Sequence, residues 1–156
     1  MGSDVCIEPL ASHPEVLPVL QAWFEAEWPS YYGANGRGNA RRDLDRYSKH
    51  AGLPFGLVAF HEGSVCGVAA LKPDSICTHT HLSPWAAAGF VRPDLRGRGI
   101  GGQLVRALER QAKAMGFGQI YCGTSAAESL LQRSGWHLLE RVTHEGEILG
   151  IYAKAL

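Results

Sequence analysis

The sequence predicts an α/β fold with a mixed, mostly antiparallel central sheet and helices on both faces, in a single domain over residues 1–156. Strand-type and helix-type segments follow one another in the order β α α β β β α β α β β, which is typical of such a sheet. Two pairs of strand candidates are joined by short turns and therefore predict antiparallel hairpins. A length of 156 residues, 46% of them hydrophobic and 19% charged, suits one buried core.

Composition narrows the classes of function. Fifteen basic residues balance fifteen acidic ones, whereas a nucleic-acid-binding protein normally carries a basic excess, so we expect no nucleic-acid partner. No apolar run reaches the roughly 18–20 residues of a membrane span, and the first residues lack the pattern of a signal peptide. The four cysteines form no CxxC pair. These features predict a cytoplasmic protein with reduced thiols and no membrane partner.

The first third of the chain predicts one strand and two helices. The strand covers residues 5–10. Ser12 and Glu15 have the spacing of a capping box and predict a helix that begins there and ends at Trp28-Pro29. The glycine-rich segment 30–38, which contains Tyr31 and Tyr32, is either a loop that closes over a ligand or a simple connection between helices. A polar helix over about residues 39–50 follows.

The remaining elements predict the rest of the sheet. Residues 55–60 and 65–71 form a hairpin, and the apolar run 85–91 is typical of a central strand buried on both faces. Gly89 in that run indicates a bulge or a close approach of the backbone to a ligand. An amphipathic helix follows residues 96–102, with Glu109 and Lys113 one turn apart as an ion pair. A strand at 119–123, a short helix at 126–134 and a hairpin from 136–142 and 147–154 complete the order.

The strand, glycine-rich turn and helix start at residues 91–104 predict a phosphate-binding site. The first amides of a helix lack internal partners and carry the positive end of its dipole, and glycines let an anion approach them closely. Arg96 and Arg98 add positive charge. The spacing of Gly97, Gly99 and Gly102 also fits a dinucleotide pattern, but no acidic residue follows about 20 positions later, and the lysine of a Walker loop is absent. A nucleotide-binding protein is therefore disfavoured.

The same residues resemble a known family. Arg96-Gly97-Arg98-Gly99-Ile100-Gly101 fits the (Gln/Arg)-x-x-Gly-x-(Gly/Ala) signature of the GCN5-related N-acetyltransferases, directly after a strand that ends at Val91. The segment from Ser125 through Leu130 to Gly135-Trp136 looks like the second motif of that family, a short helix followed by glycine and an aromatic residue. The resemblance covers residues 85–156 in motifs and the preceding half in element order.

The resemblance implies that acetyl-coenzyme A, a co-substrate, lies between the strands at 85–91 and 119–123. An amide near Phe90 would stabilise the oxyanion that forms on the thioester. The pantetheine arm would pair with the backbone of Gly89, Phe90 and Val91. The pyrophosphate would contact the amides of Gly97, Arg98, Gly99, Ile100, Gly101 and Gly102, with Arg96 and Ser125 also on the cofactor side.

The catalytic side chains depart from the family pattern. Leu131 stands where the family usually has a tyrosine that protonates the thiolate, and Ser125 stands where many members have asparagine. A thiolate is a tolerable leaving group near neutral pH, so the missing acid slows the reaction without forbidding it. His81 is the first candidate for the base that removes the proton of the amine, because imidazole exchanges protons near neutral pH. Glu27 is the second candidate.

The acceptor pocket and the remaining partners follow from fewer residues. Trp28, Tyr31 and Tyr32 are candidates for an amine pocket, since aromatic rings attract cations. Cys77, His79 and His81 share one face of an extended chain but lack the spacing and the fourth ligand of a zinc site, so we expect no metal.

We therefore predict an acetyl-coenzyme A-dependent N-acetyltransferase that acts on a primary amine of a small molecule or peptide. The alternative is a non-catalytic acyl-coenzyme A-binding sensor or regulatory domain of the same fold, which Leu131 favours. The closing hairpin is the surface expected to pair if the chain forms a homodimer.

Overall fold

The computed structural model describes residues 4–156, in which one sheet carries seven strands. The strands are β1 (Val5–Pro9), β2 (Phe55–His61), β3 (Ser64–Lys72), β4 (Trp85–Val91), β5 (Gln119–Thr124), β6 (His137–His144) and β7 (Glu147–Ala155). The helices are α1 (Leu17–Glu27), α2 (Pro29–Tyr32), α3 (Ala40–Tyr47), α4 (Ile100–Ala114) and α5 (Glu128–Arg133). None of these helices is long and apolar enough to cross a membrane.

The strand order β1-β2-β3-β4-β5-β7-β6 confirms the mixed, mostly antiparallel sheet. Every neighbouring pair of the described strands is antiparallel except β4 and β5. The two predicted hairpins, β2–β3 and β6–β7, are both present, with turns at Glu62-Gly63 and Glu145-Gly146. The parallel pair requires a crossover, and α4 supplies it.

Helices cover both faces of the sheet, as the sequence predicts. On one face, α4 and α5 pack over the strands through Leu104, Leu108 and Leu131, all of which are buried. On the other face, α1 and α3 pack over β2 and β3 through Leu20, Phe24 and Leu44. Burying such a leucine or phenylalanine stabilises the fold by about 1.5–3 kcal/mol each.

A third, smaller cluster covers the second half of the sheet. Ile76, Trp85 and Ile151 are buried there, with Leu82 and Tyr121 packed against them. Ile76 precedes a short 3-10 turn at Cys77–His79 and lies close against β5, where a side chain at Gly123 would collide with it. A side chain at position 123 would therefore displace the end of the Ile76 side chain.

The predicted capping box is wrong. Leu10–Ser12 and Pro14–Val16 form 3-10 turns instead, and no side chain caps α1. Pro18 lies in the first turn of α1, where its missing amide costs no hydrogen bond, so the helix begins at Leu17 rather than near Ser12.

Two further details differ from the prediction. Pro29–Tyr32 forms a helical turn before the glycine-rich segment, because Pro29 has the backbone geometry of a helix start. Residues 33–38 then connect α2 to α3. The expected Glu109–Lys113 pair is absent because the Glu109 carboxylate accepts hydrogen bonds from Lys154 and from the indole of Trp136 instead, each at 2.9 Å.

Candidate active site

A cleft opens between β4 and β5. The two strands pair only at Trp85 and Tyr121, where the Tyr121 amide also donates to the Pro84 carbonyl at 3.0 Å. Beyond this point β4 remains paired to β3 alone and β5 to β7 alone. The expected strand buried on both faces is therefore wrong for most of its length: Trp85 and Ala86 are buried, but Gly89 is exposed. Separation from β5 leaves one edge of β4 uncovered.

β4 contains the bulge that Gly89 predicts. Val68 pairs with Phe90 and Ala70 with Ala87, so two residues of β4, Ala88 and Gly89, lie opposite the single residue between them in β3. The left-handed conformation falls on Ala88, with φ of 57°, rather than on Gly89. A side chain built on Gly89 would meet no atom within 4 Å, so open space lies in front of the bulge.

The turn after β4 presents free backbone amides. Gly97 and Gly99 have φ of 81° and 84°, the left-handed region that favours glycine, and Gly99 caps α4 without any side-chain hydrogen bond. Within the described part of the chain, the amides of residues 97–102 have no hydrogen-bond acceptor. The positive end of the helix dipole therefore faces solvent at this turn, which suits an anion. We call residues 97–102 the cradle.

The arginines around the cradle have different roles. Arg96 folds back over β4: its Nε donates to the Val91 carbonyl at 2.7 Å, and its guanidinium lies 5.2 Å from the Phe90 ring centre. Arg92 makes a two-point bond with Asp94, at 2.7 and 3.1 Å, which lowers the pKa of that carboxyl. Arg98 is exposed. Arg96 and Arg98 are the two arginines expected to add charge to the cradle. Of these, only Arg98 forms no hydrogen bond or ion pair with the described residues.

Helix α5 forms the other wall of the cradle. The Leu130 side chain lies 3.3 Å from the position that a Cβ on Gly101 would occupy, so a larger residue at 101 would require that side chain to shift. Leu131 is buried in the core between the helices and the sheet. Leu131, at the position where a tyrosine acting as general acid is expected, therefore packs in the core instead. Thr124 accepts hydrogen bonds from the amides of residues 126 and 127 in the turn before α5, while the Ser125 hydroxyl donates to Glu147.

The predicted base candidates lie on the face of the sheet opposite α4. His81 is exposed and stacks on His79, with ring centres 5.8 Å apart. Both nitrogens of His79 are already engaged, one with the Thr78 hydroxyl at 2.8 Å and the other with Glu140 at 2.9 Å. Glu27 is exposed at the end of α1. Within residues 4–156, no group of three or more metal-ligating side chains comes together, including Cys77, His79 and His81.

The aromatic residues expected to form an amine pocket cluster beside α1. Tyr32 stacks on Phe24 and donates its hydroxyl to Asp43 at 2.7 Å; burial and this carboxylate raise the pKa of the phenol. Trp28 packs edge-on against both of these rings. Tyr32 is therefore a partly buried residue packed against the core, whereas Tyr31 is more than one-third exposed.

The tip of the β6–β7 hairpin supplies residues that the sequence analysis missed. Glu145 pairs with Arg37 of the α2–α3 connection, so the two segments meet at the surface. His144 is about three-quarters buried beside this pair, directly opposite Glu147 in the strand register. Glu140, Val142 and His144 alternate along β6 and share the face that carries Leu149 and Ile151. That period of two in the sequence is the signal that identifies this row.

The cysteines near the cleft are not reactive thiolates. Burial raises the pKa of the Cys122 thiol to about 12, and burial also raises that of Cys66. Both therefore remain protonated at neutral pH. A covalent mechanism through either sulfur has no support in this geometry.

An open mixed sheet, a cleft between its two parallel strands and an amide cradle at the mouth of that cleft define the N-acyltransferase class of α/β proteins. The family model described as Acetyltransferase (GNAT) family matches residues 20–136. The chain belongs to this family of acetyltransferases. No curated protein sequence matches the chain.

Three solved structures illustrate the likeness. An aminoglycoside 6'-N-acetyltransferase complexed with coenzyme A has a TM-score of 0.77 at 13% identity, with 96% of each chain covered. An N-acetyltransferase from Staphylococcus aureus Mu50 has a TM-score of 0.77 at 20% identity, covering 98% of this chain and 99% of that one. The yncA protein of Salmonella typhimurium, solved with its cofactor acetyl-CoA, has a TM-score of 0.76 at 15% identity, covering 98% and 94%.

Glu128 ties α5 to the closing hairpin and generates a pH-dependent prediction. Its carboxylate accepts hydrogen bonds from Tyr152 at 2.9 Å and from Arg141 at 2.7 Å, and these lower its pKa in the folded state. It therefore stabilises the fold above its ordinary pKa of 4.5, and this contribution is lost as the pH falls through the lowered value. We expect Glu128→Gln to lower the urea midpoint at pH 7 and to differ less from wild type at pH 3.5.

The control is Glu62→Gln, an exposed turn residue, which should leave both midpoints unchanged. A constant difference between Glu128→Gln and wild type at the two pH values would contradict the stated role of the carboxylate charge.

Proposed function

We propose that the chain transfers an acetyl group from acetyl-coenzyme A to a primary amine of a small molecule or peptide. The observation that carries this proposal is the position of the cradle. Its unpaired amides lie at the end of β4, where that strand has separated from β5 and its edge is free. A thioester cofactor needs both features, an anion site for its pyrophosphate and a polar strand edge for its amide-containing arm.

The residues of this chain fit acetyl-coenzyme A. The amides of residues 97–102 would hold the pyrophosphate, since a Cβ at Gly97 or Gly99 would project into open space. The free edge of β4 at Gly89, Phe90 and Val91 would pair with the pantetheine amides. The bulge interrupts the β3–β4 ladder at Ala88 and Gly89, and a backbone amide near Phe90 would stabilise negative charge on the thioester oxygen.

The reaction is a direct displacement at the thioester carbon. The neutral amine attacks, the carbon–nitrogen bond forms, the carbon–sulfur bond breaks and the thiolate leaves. The proton lost by the amine goes to a base, for which His81 is our first candidate because its ring has no hydrogen-bond partner among the described residues. Glu27 is the second. The thiolate takes a proton from water, because the Leu131 side chain has no proton to give.

One observation favours a second candidate function, a non-catalytic acyl-coenzyme A sensor. Leu131 is only 2% exposed, so this position provides neither an acid nor a polar contact in the cleft. A sensor would bind the cofactor and release no thiol in the presence of amines. The two candidates therefore make opposite predictions in one assay.

Carboxylates on the β6–β7 hairpin narrow the class of acceptor amine. Glu140 and Glu147 share one face of the β6–β7 hairpin, and Glu140 is hydrogen-bonded to His79, on which His81 stacks. A cationic amine suits such carboxylates. Aminoglycosides belong in a first panel of acceptors because the name of one structural neighbour includes them. A homodimer through the closing hairpin and a cytoplasmic location stay predictions.

The test of the proposed reaction is release of free thiol from acetyl-coenzyme A, measured with a thiol reagent. The panel of amines should include an aminoglycoside, a polyamine, amino acids and a peptide N-terminus. We expect at least one amine to raise thiol release above the rate without amine. Tight cofactor binding with no amine-dependent release across the panel would favour the sensor.

A substitution in the cradle tests the cofactor site. We expect Gly99→Glu to abolish binding of acetyl-coenzyme A in calorimetry, because the side chain and its charge would both enter the cradle. Gly63→Glu is a matched control: Gly63 also has a left-handed φ of 80° and open space around it, but it lies in the β2–β3 turn. Unchanged affinity in Gly99→Glu would reject the site.

The assignment of the base has its own test. We expect His81→Ala to reduce the rate more at pH 7 than at pH 9, because a larger fraction of the amine is already neutral at pH 9. The control is His50→Ala, an exposed residue after α3. An equal reduction at both pH values would exclude His81 as the base.

A further inference from the structure

The Ser125 hydroxyl is held in one orientation by Glu147. It donates its proton to a carboxylate oxygen of Glu147, and a carboxylate only accepts hydrogen bonds. Ser125 directly follows β5, and Glu147 is the first residue of β7, the strand that pairs with β5. Ser125 is exposed, and among residues 4–156 no group donates to its oxygen. Toward a ligand this oxygen can therefore act only as a hydrogen-bond acceptor.

Ser125 lies at about the same level as the bulge in β4. The parallel strands β4 and β5 pair at Trp85 and Tyr121. Gly89 and Ser125 each lie four residues beyond this pair, which is about 13 Å along the strand direction. The two residues are therefore on opposite walls of the cleft, at the depth where the bulge interrupts the β3–β4 ladder.

The Ser125 hydroxyl lies on the face of the sheet opposite α4. Glu147, Leu149 and Ile151 alternate along β7 and share one face, and Leu149 and Ile151 pack in the small cluster away from α4. Tyr152, the next residue, packs on the α4 side instead. Because Ser125 is bonded to Glu147, its hydroxyl is on the same face as the candidate bases, rather than on the face of the cradle.

A neutral primary amine is complementary to an acceptor-only group at this position. Its nitrogen has one lone pair, which attacks the thioester carbon, and two N–H groups. One N–H can be donated to the Ser125 oxygen while the other is removed by the base after attack. Such a hydrogen bond would fix the direction in which the lone pair points.

We propose that Ser125 is a catalytic residue that accepts a hydrogen bond from the attacking amine, and that Glu147 is the positioning residue that keeps it an acceptor. This inference rests on the proposed function. In the step, the carbon–nitrogen bond forms, the carbon–sulfur bond breaks and one amine proton goes to the base, while Ser125 keeps its own proton.

The arrangement makes the site selective for primary amines. A secondary amine has a single N–H, and the base must remove it. The amide that results has no N–H, so the Ser125 oxygen would lose its donor as the reaction proceeds. The amide formed from a primary amine retains one N–H for this bond.

The experiment measures steady-state thiol release from acetyl-coenzyme A by the full chain. The probes are the amine of the panel that reacts fastest and its N-methyl derivative, in which the reacting nitrogen is secondary. We expect Ser125→Ala to lower kcat for the primary amine about tenfold, the effect of one lost hydrogen bond, with KM for acetyl-coenzyme A unchanged. Ser125→Thr keeps the hydroxyl and should keep most of kcat. The matched control is Ser129→Ala, the same change at an exposed position on α5.

Two readouts distinguish this role from that of an acid or a base. The loss in Ser125→Ala should be the same factor at pH 7 and at pH 9, because Ser125 exchanges no proton in the step. Wild type should prefer the primary amine over its N-methyl derivative, and this preference in kcat should shrink several-fold in Ser125→Ala.

A double substitution tests the positioning residue. Without the carboxylate the Ser125 hydroxyl turns freely, so its oxygen is directed at the amine less often. We expect Glu147→Ala to lower kcat several-fold in wild type and to cause no further loss in Ser125→Ala, since the two residues act through one hydrogen bond.

The outcomes separate this inference from the proposed function. Unchanged kcat in Ser125→Ala, an equal loss in Ser129→Ala, or a loss that is larger at pH 7 than at pH 9 would overturn the inference and leave the proposed reaction intact. So would an equal effect of Glu147→Ala with and without the Ser125 hydroxyl. Wild type that binds acetyl-coenzyme A but releases no thiol with any amine would reject the proposed function, and the role of Ser125 with it.

Discussion

The parallel contact between β4 and β5 ends at Trp85 and Tyr121, and the rest of the site depends on this early separation. Two features hold the strands together at that point. Trp85 is buried, and its indole donates to the Leu82 carbonyl at 2.7 Å. Ile76 packs from above against β5 at Gly123. A small apolar cluster, rather than a ladder of hydrogen bonds, therefore holds β4 to β5. Beyond this contact the two strands diverge.

Divergence places different chemistry on the two faces of one sheet. On the α4 face, the backbone supplies the polar groups, since the cradle amides and the free edge of β4 need no special side chain. On the opposite face, the polar groups are side chains, including the row on β6 and the stacked pair His79 and His81. An anionic cofactor would thus approach the cleft along the backbone amides of the α4 face, and a cationic acceptor would approach it along the polar side chains of the opposite face.

The sequence predicts the fold and the glycine turn before α4 well because both depend on local patterns. Apolar periodicity located the strands, and the glycines at 97 and 99 marked a turn whose left-handed φ values few other residues adopt. The acceptor side depends on contacts distant in sequence, such as Arg37 with Glu145 and His79 with Glu140, which no local pattern reveals. The capping box failed for a related reason. Pro14 and Pro18 favour short 3-10 turns before α1, and these turns allow Leu10 and Val16 to pack into the core.

The bulge at Ala88 and Gly89 affects how much the cleft must reorganise when a ligand binds. Ala88 has a left-handed φ of 57°, a conformation that costs an alanine on the order of 1 kcal/mol and a glycine almost nothing. With Gly89 following it, a second glycine would give this segment a wide range of shapes. The alanine instead narrows that range, and Ala88 also packs into the apolar cluster beneath α1. The edge of β4 therefore has few accessible conformations before a ligand binds, so less conformational entropy is lost on binding. The same restriction makes this edge adapt poorly to ligands of a different shape.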